Sequence, residues 1–271
     1  MILLLAALLP TLASAPADTN GATELPVPLV EYKADEASAT AAPWITANGW
    51  RFTRDPSGRY FYSVPADAVA LAAAEAFAYG ANALIKTDAE GAKRFEVILG
   101  FLKALPPVDL PGIADVGVID DGSDETGELL NLLSRRNLLY KVVKAPDEKI
   151  PINVLIGSKE FPKEEADDPH KLAASIRYKL TDDRRTARLY GSEVVIMRLQ
   201  GDGNHVRIHL LNYSKRPVEG VRVRVLGTFK SAKAYDFEDP NEKVEDFAPA
   251  DDATELTLPI VNIYAVIDLS R

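Results

Sequence analysis

The residues whose types and spacing best fit chemistry are Asp120, Asp121, Ser123 and Asp124, grouped in one turn of the stretch Ile113 to Arg136, IADVGVIDDGSDETGELLNLLSRR. Carboxylates and a hydroxyl gathered this way can hold a metal ion, accept hydrogen bonds from sugar hydroxyls, or serve as acid and base in a hydrolysis. The turn lies between an apolar run and an amphipathic one. It therefore stands at the carboxyl end of a predicted strand, where open α/β sheets place their ligands. Acidic residues and Ser are also what the unpaired N–H groups and the dipole of a helix N-terminus prefer. The first reading of the turn is a helix cap, and the second is a ligand site. A further group is aromatic: Trp44, Trp50, Tyr60 and Tyr62. Aromatic faces stack on sugar rings, which suggests a carbohydrate platform, while hairpin aromatics also pack into cores or across strands.

Named sites can be tested against the acidic turn, and each lacks a specific residue. A dinucleotide fingerprint needs GxGxxG, whereas the glycines are Gly117, Gly122 and Gly127, and carboxylates in the first helical turn would repel a pyrophosphate. The DxDGT pattern of haloacid-dehalogenase phosphotransferases would place its nucleophile at Ile119. A response-regulator receiver is similar over strand, acidic pair, helix and second strand, but its phosphoacceptor position holds Gly157-Ser158. The histidines are His170, His205 and His209. The last two share a strand face, but four residues at roughly 3.4 Å each put them about 13 Å apart, too far for one metal ion, and they read as surface residues. No GxSxG elbow is present. The loop Asp236-Phe-Glu-Asp-Pro-Asn-Glu lacks the Gly and terminal Glu of an EF-hand and reads as solvated. No catalytic residue, metal site or cofactor is assigned.

Composition bounds the rest. A chain of 271 residues with 47% hydrophobic content can fill one large or two small cores. A net charge of -9 excludes a general nucleic-acid binder and does not suit anionic membranes. With no cysteine there are no disulfides, thiolate nucleophiles or Cys-bound zinc. The N-terminus, MILLLAALLPTLASA, is an apolar run ending in the small residues that signal peptidases cut, though it lacks a basic n-region. It is too short for a comfortable membrane span. Residues 1–15 are accordingly expected to be a signal peptide of a secreted or periplasmic protein, and 16–42, rich in Ala, Thr, Pro, Asp and Glu, a linker.

The elements that must position these residues follow from periodicity. Residues 43–191 read as an α/β domain. Trp50 to Val64 is expected as a β-hairpin around Asp55-Pro56-Ser57-Gly58, then a helix from Pro65 to Tyr79 with Gly80 as its stop. A strand at Ala83 to Ile85 precedes a helix capped by Asp88 and ended by Pro106-Pro107. After the focal strand, turn and helix come strands at Leu138 to Val143 and Ile152 to Ile156, and a helix started by Asp168-Pro169. A strand at Ala187 to Tyr190 is expected to close an incomplete parallel βαβ sheet of flavodoxin-like kind. Residues 192–271 read as short strands forming an antiparallel β-sandwich, interrupted by an acidic loop from Asp236 to Asp252. Within it, HVRIHL alternates as a half-buried strand should, with His205, Arg207 and His209 on the outer face.

Several segments resemble one family. AEAFAYGANALIKT (residues 74–87) is similar to a late barrel segment, with residues 43–105 as the barrel end. ADVGVIDDGSDETGELLNLLSRRNLLYKVV (114–143) resembles the first βαβ of a class I glutamine-amidotransferase-like domain, here 113–191. VRIHLLNY and LTLPIVNIYAVIDL resemble a terminal sandwich. This order is that of the rear half of secreted glycoside hydrolases such as the β-galactosidase-like enzymes of family 42. Such barrels carry two catalytic carboxylates on separate strands and take roughly 200 or more residues, fewer than which precede Ile113, so no catalytic residue carries over. The amidotransferase nucleophile is a Cys, which this chain lacks. The resemblance implies a secreted carbohydrate-associated accessory or structural protein without activity of its own. The alternatives are a hydrolase of glycans or esters using carboxylates at the Asp120 turn, and an oligomerisation module. Carbohydrate is the implied partner, and no oligomeric state is implied.

Overall fold

The computed structural model describes residues 13–14, 19–31, 43–241 and 243–271. The signal-peptide expectation lies outside these except at Ala13–Ser14 (β1), a two-residue strand whose removal by a cut after Ala15 would leave β6, defined below, at the sheet edge. Among the described residues, no helix is long and apolar enough to cross a membrane.

The first unit contains β2 (Thr23–Leu25), β3 (Leu29–Glu31), β4 (Trp44–Thr46), α1 (Gly49–Arg54), β5 (Arg59–Ser63), α2 (Val69–Ala78), β6 (Asn82–Lys86) and α3 (Ala89–Ala104). β1, β6, β5 and β2 form a parallel sheet in that order, and β3 pairs with β4. Two expectations are corrected here. Residues 16–42 are not linker throughout, because β2 and β3 lie in this stretch and Leu25 is buried. Trp50 to Val64 is not a hairpin: its first half is helical, and its second is a strand paired in parallel with neighbours on both sides. The turn at Asp55 to Gly58 joins a helix to a strand, where local alternation predicts two strands.

α2 begins after a 3-10 turn at Ala66–Ala68, and its alanines are buried all round. Small side chains let it lie close between the parallel sheet and the β-rich part of the molecule. It ends as a C-terminal glycine motif should, with Gly80 at φ +64° and Ala81 N–H donating to the Ala76 carbonyl at 2.9 Å. α3 is capped by Asp88, which accepts from Gly91 N–H at 2.7 Å.

The second unit holds β7 (Val116–Ile119), α4 (Asp124–Arg135), β8 (Tyr140–Val143), β9 (Ile152–Val154), α5 (Lys163–Ala166) and α6 (Pro169–Leu180). Its three strands are parallel in the order β8-β7-β9. Leu129, Leu130, Leu132 and Leu133 of α4 share one core with Leu172, Ile176 and Leu180 of α6 and with Val116 and Val118 of β7.

The remaining strands are β10 (Ala187–Tyr190), β11 (Val195–Gly201), β12 (His205–Asn212), β13 (Val218–Leu226), β14 (Ser231–Asp236), β15 (Glu245–Ala250), β16 (Ala253–Val261) and β17 (Tyr264–Ser270). They form two antiparallel sheets, β10-β13-β16-β15 and β11-β12-β17-β14, which share a core of residues such as Val223, Leu256, Ile208 and Ile267. β10 therefore does not close the parallel sheet; it pairs antiparallel with β13. The span Asp236 to Asp252 is not loop throughout, since β15 makes an edge strand there. Nor is β12 half-buried. The face with Arg207 and His209 is covered, because the β11-β12-β17-β14 sheet lays Ile196, Leu211, Tyr264 and Val266 against the first unit while its other face closes the sandwich core.

Candidate functional site

The acidic turn joins β7 to α4, and Asp120 and one oxygen of Asp121 are engaged within the protein. Arg54, at the end of α1, donates from Nε to Asp120 Oδ2 at 2.8 Å and from Nη2 to Asp120 Oδ1 at 2.9 Å; Nη2 also reaches the Ser123 carbonyl at 2.8 Å. This bidentate ion pair raises the Arg54 pKa. Asp121 Oδ1 accepts from the Ser123 hydroxyl at 2.6 Å, the Ser123 N–H at 3.0 Å and the Thr126 hydroxyl at 2.8 Å. The Ser123 hydroxyl is the first cause that holds the Asp121 carboxyl below its ordinary range. Ser123 is the N-cap, its Oγ accepting from Thr126 N–H at 3.1 Å, and Asp124 is exposed in the first helical turn. Sequence reading missed Arg54, which lies 66 positions before Asp120 and adjoins it only in the fold.

The aromatic residues do not share one open face. The Arg135 guanidinium lies 3.8 Å over the half-buried Trp44 ring, and that of Arg51 lies 4.2 Å over Trp50. Trp50 also packs on α4, where a Cβ at Gly127 would stand 3.3 Å from its ring. Tyr60 is buried, edge-on to Phe52 at 5.0 Å, and donates to the Asp55 carbonyl at 2.8 Å; burial pushes its pKa up to about 12. Tyr62 is fully buried. Trp50 and Tyr60 bind α1 to its surroundings, while Trp44 lies against Arg135 of α4 and Tyr62 bonds to Glu75 of α2.

Buried polar groups gather where the first unit meets the β-rich part. Glu75 of α2 is completely buried, yet its Oε1 accepts from Asn48 N–H at 2.6 Å and Tyr213 OH at 2.5 Å, and its Oε2 from Tyr62 OH at 2.7 Å. Burial raises its pKa against these donors. His209, expected at the surface, is buried beside Phe77 of α2, with Nδ1 at 2.7 Å from Tyr264 OH and Nε2 at 3.0 Å from Gln200 Oε1. Burial, then the nearby Arg198 and Arg207 charges, hold its pKa well below the ordinary value. His205 and His170 are exposed. Among the described residues, no group of three or more His, Asp or Glu is arranged to hold a metal ion.

Beside this junction lies a cavity of about 460 Å³, which sequence reading did not anticipate. Five connections converge on it: β2 to β3 through Val27 and Leu29, β5 to α2 through Pro65 and Asp67, β12 to β13 through Ser214 to Pro217, β14 to β15 through Glu238, and β16 to β17 through Asn262 and Ile263. Lys215 Nζ donates to Asp67 Oδ2 at 2.9 Å and so ties two of these connections together. A volume within the range of about 300–1,000 Å³ and a position between packed units are common properties of small-molecule sites.

The sequence matches no protein-family model and no curated protein. Among solved structures, it is similar to α-L-fucosidase isoenzyme 2 from Paenibacillus thiaminolyticus, with 10% identity, a TM-score of 0.58, and 82% of this chain aligned to 62% of that one. A β-galactosidase from Rahnella sp. R3 aligns at 9% identity and TM-score 0.44, over 82% of this chain and 61% of that one. An exo-carrageenase from Bacteroides ovatus aligns at 8% identity and TM-score 0.39, over 81% and 43%. The likeness to the fucosidase is one of fold. The chain spans about three fifths of the length of the first two structures. Its fold resembles part of a glycoside hydrolase.

Proposed function

We propose that this is a secreted, carbohydrate-associated accessory or structural protein related to glycoside hydrolases, with no hydrolytic activity of its own. The observation that carries the reading is the fold likeness to a fucosidase over 82% of the chain. The flavodoxin-like order of β8-β7-β9 and the following antiparallel sheets suit the rear domains of such enzymes, with the parallel unit taken as a degenerate amidotransferase-like domain. In this reading the carboxylates of the turn and of the junction serve the fold. Glycoside hydrolysis needs two carboxyl groups facing one bond across roughly 5–9.5 Å of open site. Asp120 is instead engaged by Arg54, and Asp121 by Ser123 and Thr126. Glu75 and Asp115 are buried hydrogen-bond hubs, the latter accepting from the Thr186 hydroxyl at 2.5 Å.

The reading is tested by incubating the full chain with insoluble polysaccharides and with fucosyl, galactosyl and xylosyl oligosaccharides, measuring both retention and release of reducing sugar. Retention without release is expected. Release that disappears in Asp120→Asn or Asp121→Asn would instead establish a hydrolase at the turn, and absence of any retention would refute the carbohydrate association.

A further inference from the structure

We infer that the junction cavity is a carbohydrate site of monosaccharide size, in which Arg216 donates and Glu238 accepts hydrogen bonds; this rests on the glycan-associated reading above. The cavity lies where a parallel sheet offers a ligand site. β2 and β5 are parallel, so Leu25 and Ser63 end at the same side of the sheet. The chain then runs directly into Val27 to Leu29 and Pro65 to Asp67, which form one wall. Parallel sheets place ligands at this carboxyl end of their strands. The opposite wall comes from the β-rich part, so the site exists only where the two are packed together.

Most polar groups on the wall are already engaged within the protein. Asp67 is engaged by Lys215, and the guanidinium of Arg94, from α3, by Glu90 at 3.1 Å. The Asn212 amide donates to the carbonyls of Arg216, Val261 and Asn262, the Ser214 hydroxyl to that of Arg216, and the Asn262 amide to Asp236. The Tyr213 hydroxyl is bound to Glu75. Among the described residues, the guanidinium of Arg216 and the carboxylate of Glu238 have no side-chain partner, and both are exposed. Leu71, Pro217 and Ile263 supply apolar surface beside them.

The chemistry of the ligand follows from that pair. A simple anion that satisfies Arg216 is repelled by Glu238, and a simple cation meets the reverse. A hydroxyl both donates and accepts, so a ring carrying several hydroxyls serves both groups at once and lays its C–H face on the apolar wall.

The test is a calorimetric titration of the full chain with methyl β-D-galactoside, methyl α-D-glucoside, methyl α-D-mannoside and methyl α-L-fucoside, and separately with inorganic phosphate. It is repeated on Arg216→Ala and Glu238→Ala, with melting curves recorded for each. Both side chains are exposed, so unchanged melting is expected. At least one glycoside should bind, and each variant should weaken it by about tenfold or more, the loss typical of a charged hydrogen bond. Equal binding by wild type and both variants would overturn the site while leaving the glycan reading intact. So would retention on polysaccharide with no binding of any glycoside. Phosphate binding that Arg216→Ala abolishes, without glycoside binding, would make this an anion site. Failure to bind any glycoside or polysaccharide would overturn both readings.

Discussion

Asp120 and Asp121 look like a site in isolation and act as fasteners in the fold. Arg54 and Asp120 form a two-pronged ion pair whose side chains are only 20% and 17% exposed. Arg54→Ala is therefore expected to lower unfolding free energy by about 1–3 kcal/mol, measured by urea denaturation, because it also strands the Ser123 carbonyl contact. His209 makes a different prediction. Its pKa in the folded protein lies below the ordinary 6.5, so the unfolded chain takes up a proton that the folded one refuses. Its stabilising contribution is complete above pH 6.5 and is lost as pH falls below that value, by up to about 1.4 kcal/mol per pH unit. Denaturation series between pH 7.5 and pH 5 should show this slope in the wild type and a shallower one in His209→Gln. An unchanged slope in the variant would assign the proton elsewhere.

At the scale of elements, local signals were legible and partner choice was not. The caps at Asp88, Ser123 and Asp168 each act through a backbone N–H three residues on, so the sequence alone reveals them. The helices they start were expected where they occur. α1 is hidden in the sequence because a six-residue helix carries too little periodicity to outweigh the alternation around Asp55 to Gly58. The sheet that β10 joins is not legible, because a strand of four residues does not encode its neighbour. The buried face of β12 was invisible because it depends on α2 packing against it. Close packing between helices gives a sharp test. At Gly49 of α1 a Cβ would lie 2.1 Å from the Tyr79 ring. Gly49→Ala is thus expected to destabilise the protein by about 1–3 kcal/mol, although Ala favours helix, with a lowered melting temperature as the readout.

The whole molecule is organised by its junction. Glu75 receives Tyr62 from the parallel sheet and Tyr213 from the β-rich part, while Ile196, Leu211 and Tyr264 complete the first unit's core. A fragment of residues 185–271 should therefore expose an apolar face, bind the dye ANS and aggregate, whereas the full chain should do neither; a soluble, dye-free fragment would show the junction to be dispensable. The cavity at this junction is a product of the assembled fold, and no local motif announces it. Its walls come from residues far apart in the chain. The most direct measurement is the titration of the full chain with simple methyl glycosides, with reducing-sugar release followed on oligosaccharides. Saturable binding that needs Arg216 and Glu238, without release, is the expected result. Hydrolysis, or an absence of any carbohydrate binding, would contradict the account.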